Sequence, residues 1–205
     1  MGSVEQQVIG VTGVPGAWTN VVATELKARG CQVLWPGQRL LSSDIESLYT
    51  QNGENPEITR IHDLILEECN QNIYSLRLPR FFSPPFPGPE QFLAKFSPDR
   101  PVVIVNPSIC LVWDIWRPYV TDVLMVSAEE RVTSHFLRTY IDANMTEDRC
   151  SAIFDFHALQ LQRIEDSFVS KRYHLHAISN TDIENNRYSE TIDSILKAMD
   201  GTHVR

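Results

Sequence analysis

No stretch of this 205-residue chain approaches the roughly 18 consecutive apolar residues that a helix needs to cross a bilayer, so no membrane span is expected. The N-terminal "MGSVEQQ" lacks the charged-then-apolar pattern of a secretory signal, and Gln6 stands where myristoylation requires Ser or Thr. The expected location is the cytoplasm. Cysteine is sparse: Cys31, Cys69, Cys110 and Cys150 lie far apart, and no pair has metal-ligand spacing. Neither a disulfide framework nor a bound metal is expected. Positive charge is also short, with 18 Lys and Arg against 26 Asp and Glu, a formal charge of -8. An acidic surface repels phosphate backbones, so no nucleic-acid partner is expected. The Gly-any-Ser-any-Gly elbow of a serine hydrolase is missing, as are internal repeats and low-complexity tails.

Against these absences stands a regular alternation. Residues 7–12, "QVIGVT", are apolar and β-branched, and they read as a buried strand bounded by Gly13 and Pro15. Thr19 or Asn20 is placed to cap a helix in which Val22, Leu26 and nearby alanines form one stripe, and Gly30 stops it. Further strands are expected at 31–35, 100–107, 121–127 and over "YHLHAIS". Helices are expected at 41–50, 57–70, within "SICLVWDIWRPY", over "AEERVTSHFLRTYID", at about 151–171 and at 188–199. The proline-rich "LPRFFSPPFPGPE" cannot be regular structure, because proline lacks a donor and fixes φ. Strand–helix alternation predicts one α/β domain over 1–205: a three-layer parallel sheet with helices on both faces.

Three stretches resemble, in order and spacing, the bacterial sulfotransferase family of P-loop proteins. In "GVPGAWTN", Gly13, Pro15 and Thr19 match the family's phosphate loop, while Gly16, Ala17, Trp18 and Asn20 depart from it. In "VNPSICLVWDIW", Pro107, Cys110, Leu111 and Trp116 match, and Val105, Asn106 and Ser108 replace polar or charged residues. In "VLMVSAEERVTSHFLR", Ser134 and Arg138 match, and Ser127 replaces an arginine. The resemblance implies a P-loop sulfotransferase-like fold. It also implies 3′-phosphoadenosine 5′-phosphosulfate (PAPS) as donor, cofactor contacts along 13–20 and at Ser127, Ser134 and Arg138, and an acceptor region near "ENPEITRIHDLILEE". There Glu57 and His62 are the candidate catalytic residues, able to deprotonate an acceptor hydroxyl.

The residues themselves count against conventional transfer. Sulfuryl transfer, like phosphoryl transfer, relies on positioning and charge stabilisation. Four family cation positions here hold Gly16, Val105, Ser108 and Ser127. At about 1.5–3 kcal/mol per charge-assisted hydrogen bond, their loss removes on the order of 6–12 kcal/mol if additive. Trp18 brings an indole to a position where phosphate loops use glycine. The leading expectation is therefore a divergent, non-transferring ligand-binding or interaction module, with a small anionic ligand or a protein as partner. The alternatives are an active sulfotransferase drawing cations from Arg77, Arg80, Arg131 or Arg138, or an enzyme with another small ligand. Ser134 and Arg138 can form an anion clamp one helical turn apart, unless Arg138 pairs with Asp142. His174 and His176 share one strand face, Asp155 and His157 can form a charge pair, and Trp113 and Trp116 mark a packed face.

Overall fold

A computed structural model describes residues 6–34, 76, 93–94, 96–105, 107–168 and 174–201. The two helices expected at 41–50 and 57–70, the proline-rich loop, and Glu57, His62, Arg77 and Arg80 lie outside the described residues.

Among the described residues five strands form one parallel sheet: β1 (Val8–Gly13), β2 (Gln32–Leu34), β3 (Val102–Val105), β4 (Asp122–Ser127) and β5 (His174–Ser179), in the order β2-β3-β1-β4-β5. β1 is central. Ile9 lies opposite Val103 on one side and Asp122 on the other. Every residue of β1 and β3 is buried, as expected for strands covered on both faces.

The helices divide between the two faces. α1 (Thr19–Ala28), α5 (Asn180–Glu184) and α6 (Tyr188–Gly201) cover one face, where Val22, Leu26, Ile183, Ile192 and Ile195 pack on Ile9, Val11, Val103 and Leu124. A 3₁₀ segment (Pro107–Leu111), α2 (Trp113–Trp116) and α4 (Glu147–Phe168) cover the other. There Ile109, Trp116, Leu161 and Ile164 meet Val8, Val102, Ile104 and Val123. The expected three-layer α/β architecture is therefore the one observed. α3 (Glu130–Phe136), continued by a π-helical turn over Leu137–Ile141, follows β4 and packs against α4.

Local differences from the sequence reading have identifiable causes. The N-cap of α1 is Trp18, with no side-chain cap bond, because Thr19 is already helical and buried. Gly30 does follow the helix, at φ +94°. α4 begins at Glu147, not near 151: the Arg149 N–H donates to Thr146 Oγ1 at 3.3 Å, and Glu147 and Asp148 sit in the favourable first turn. α5 is short and was not expected at all.

The connectivity places the functional end. After β1 the chain leaves over one face through α1, and after its neighbour β3 it leaves over the other through the 3₁₀ segment and α2. Such a switch point opens a crevice at the carboxyl ends of the strands, here beyond Gly13.

Gly13 is held there by close approach. A Cβ on it would lie 2.4 Å from the Val126 carbonyl oxygen of the paired strand. Gly13→Ala is expected to lower stability by about 1–3 kcal/mol through overpacking. Gly30→Ala, where nothing lies within 4 Å, meets only left-handed backbone strain. Urea unfolding of both variants checks the order; equal losses would contradict the close-approach account.

Candidate functional site

The turn after β1 is built from its own residues. Pro15 fixes φ at the second position, Gly16 supplies a φ of +84° at the third, and the Ala17 N–H closes on the Val14 carbonyl at 3.0 Å. This is the pattern of a type II β-turn. Its left-handed position needs glycine for a second reason. A Cβ on Gly16 would fall 2.9 Å from Phe136 Cβ and 3.2 Å from the Val132 oxygen, both in α3. The buried Thr133 hydroxyl donates to the Pro15 carbonyl at 2.7 Å. α3 thus lies against the turn and fixes its shape.

Three N–H groups at the turn, those of Ala17, Trp18 and Thr19, have acceptors within the chain. Ala17 N–H serves the turn, and Thr19 N–H donates to the Ala17 carbonyl at 2.8 Å. Trp18 N–H donates to Asn180 Oδ1, at the start of α5, at 3.1 Å. Of the cofactor candidates along 13–20, Gly13, Pro15 and Thr19 are buried. Gly16, Ala17 and Asn20 are partly buried, and Trp18 is 38% exposed. The turn therefore presents an indole to solvent at the head of α1.

The remaining candidates sit on β4 and α3. Ser127 ends β4 and is exposed. Ser134 is 6% exposed, and its hydroxyl has no hydrogen-bond partner. Arg138 does not close on it, nor does it pair with Asp142. The π-helical turn over Leu137–Ile141 alters the α-helical spacing between Arg138 and Asp142, and Arg138 is engaged elsewhere. Its guanidinium donates to the Met145 carbonyl at 3.0 Å and pairs with Glu147. Arg131 pairs with Glu129 at 2.6 Å, with both side chains largely exposed.

A cleft of about 250 Å³ opens beside the turn, at the carboxyl ends of β4 and β5. Ser127, Glu129, Arg131, Asn180, Thr181 and Glu184 contribute its polar lining. With two carboxylates to one guanidinium, and that guanidinium paired, it offers little attraction to a polyanion.

Its floor is braced by a capping box that sequence reading missed. Ser179 Oγ accepts the Asp182 N–H at 3.0 Å, and Asp182 Oδ2 accepts from the Ser179 N–H at 3.1 Å and from its hydroxyl at 2.6 Å. The signal was present as "SNTD", Ser followed three residues later by an acidic group, hidden by the preceding strand. These bonds from Ser179 hold the Asp182 carboxyl below its ordinary range.

Two other groupings lie apart from the cleft. Cys110 Sγ lies 3.7 Å from His157 Nδ1 in the core. Burial pushes the Cys110 thiol up to about 12, so it is not an activated nucleophile. Asp155 does not pair with His157: it is exposed on the other side of α4 while His157 is fully buried. His174 and His176 do share a face, and both approach the buried Asp122 carboxylate, at 3.4 and 3.8 Å. Among the described residues no three His, Cys, Asp or Glu side chains are set to hold a metal ion. No described helix is long and apolar enough to cross a membrane.

No protein-family model matches the chain, and no curated protein does. Among solved structures the chain is similar to an uncharacterized protein from Eubacterium ventriosum ATCC 27560, at 13% identity and TM-score 0.37, over 96% of this chain and 99% of that one. It is also similar to a shikimate kinase from Bacteroides thetaiotaomicron, at 15% and 0.45, over 93% and 98%. A gluconokinase from Sinorhizobium meliloti 1021 gives 14% and 0.43, over 98% and 99%. Likeness at this distance carries no function, and the α/β assignment rests on the sheet itself.

Asp182 sets a pH dependence whose sign follows from its depressed value. The carboxylate contributes stability that is present above its unfolded value of 3.8 and lost as pH falls through the lower folded value. The stability difference between the parent and Asp182→Asn should stay constant from neutrality to about pH 5 and narrow below that. Denaturant titrations at stepped pH measure it. A difference unchanged down to about pH 2 would contradict the capping role.

Proposed function

We propose that this chain is a divergent sulfotransferase-like module that binds a small ligand or a protein partner and does not perform conventional PAPS-dependent transfer. The observation that supports this reading most is the use of the Ala17, Trp18 and Thr19 N–H groups inside the chain. A phosphate loop works by leaving such donors open to the anion. The pairing of Arg131 with Glu129 and of Arg138 with Glu147 points the same way. So do the uncharged residues at Gly16 and Ser127. What remains is a surface suited to contact: an exposed indole at the turn and a polar cleft next to it.

Calorimetric titration with 3′-phosphoadenosine 5′-phosphate, the product that shares the donor's two anionic ends, tests the reading. No saturable heat is expected up to about 1 mM nucleotide. Saturable binding with a dissociation constant near 1 μM would overturn it and favour an active sulfotransferase using basic residues from elsewhere in the chain.

A further inference from the structure

The head of α1 is where an anion would gain most from the helix, and one side chain already occupies it. α1 has ten residues, and Trp18 is its N-cap. The Trp18 N–H sits at the positive end of the helix dipole. Its acceptor, Asn180 Oδ1, arrives from a residue 162 positions away in sequence. Asn180 is only 7% exposed. Its other polar atom, Nδ2, has no hydrogen-bond partner. The donor fixes which way the carboxamide lies, because a flipped amide would set NH₂ against N–H. A residue present only to fill space would not be a carboxamide with half its polar atoms unpaired. The bond through its oxygen is what accounts for it.

The placement is rigid. Asn180 follows Ser179, which is locked to Asp182 by the capping box, and Ile183 anchors α5 in the core. Asn180 also lines the cleft formed with Ser127, Val132 and Thr181.

We infer that Asn180 is a built-in substitute for an oxyanion at the head of α1, and that it keeps a latent oxyanion site closed. The carboxamide oxygen supplies the partial negative charge that a sulfate or phosphate oxygen would otherwise bring. The inference rests on the reading of the turn as a phosphate loop whose donors are satisfied internally, and it names the group that holds the decisive one.

The test compares the full chain with Asn180→Ala and Asn180→Asp. Each is titrated with sodium sulfate against sodium chloride at matched ionic strength, and the Trp18 backbone amide is followed by NMR. Asn180→Ala should show a saturable shift of that amide, with apparent affinity about tenfold or more above the parent. Asn180→Asp, which supplies its own oxyanion, should show none. An Asn180→Ala protein that keeps its circular dichroism spectrum but gains no sulfate response overturns the inference. So does a parent chain that already binds sulfate as well as the variant. If Asn180→Ala does not fold, Asn180→Ser is expected to show the same gain. Hydrogen exchange in the unmodified chain decides independently: a protected Trp18 amide supports the inference, and one exchanging at the unfolded rate overturns it. Nucleotide binding by the parent would instead count against the proposed function, so the two failures are distinguishable.

Discussion

The constraint on which the site depends is the contact between β1 and β4 at Gly13. A side-chain atom there would force a shift, because a Cβ would lie 2.4 Å from the Val126 carbonyl oxygen. Glycine lets the central strand run to its end in register with β4, Gly13 opposite Val126. It also delivers Val14 and Pro15 beneath α3. From that point the turn is shaped by protein rather than by a ligand. Thr133 takes the Pro15 carbonyl, and Phe136 and Val132 close over Gly16.

The same economy of donors runs through the electrostatics. Backbone N–H groups at a helix start must find acceptors, and water, an anion or the protein itself can supply them. Here Val14, Ala17 and Asn180 do so. Among the described residues, Arg131 and Arg138 are matched with carboxylates, and Gly16, Val105 and Ser127 are uncharged. Backbone satisfaction and side-chain pairing are independent features of this end of the sheet. A polar cleft at the carboxyl ends of β4 and β5 and an exposed Trp18 remain at this end of the sheet.

Much of the fold was legible along the chain. Continuous β-branched runs such as "VVIV" mark strands buried on both faces, since neither face faces water. Gly30 marks the end of α1 because a residue at φ +94° has to tolerate the left-handed region. Short elements were harder. α5 offers only five residues, too few for an apolar period to show, although its capping box was written in "SNTD". The start of α4 was misplaced because Thr146 was not weighed as a cap. The π-helical turn had no local signal. Its wider spacing, closed by the Asp142 N–H on the Leu137 carbonyl, falls between Arg138 and Asp142, the pair expected from regular helix geometry.

The sequence alone determined the parallel α/β layering, through alternating apolar runs and glycine stops. It also determined the shortage of positive charge at the turn after β1, where residues 13–20 hold no Lys or Arg. Only the tertiary structure decided how that turn meets its hydrogen-bonding needs. Asn180 lies 162 residues from Trp18, and Cys110 lies 47 from His157. No spacing rule links such pairs, because their meeting depends on β1, β3 and β4 lying side by side and on helices crossing between them. That the Trp18 N–H finds its acceptor within the chain is set by the tertiary contact that brings Asn180 to it, not by local sequence.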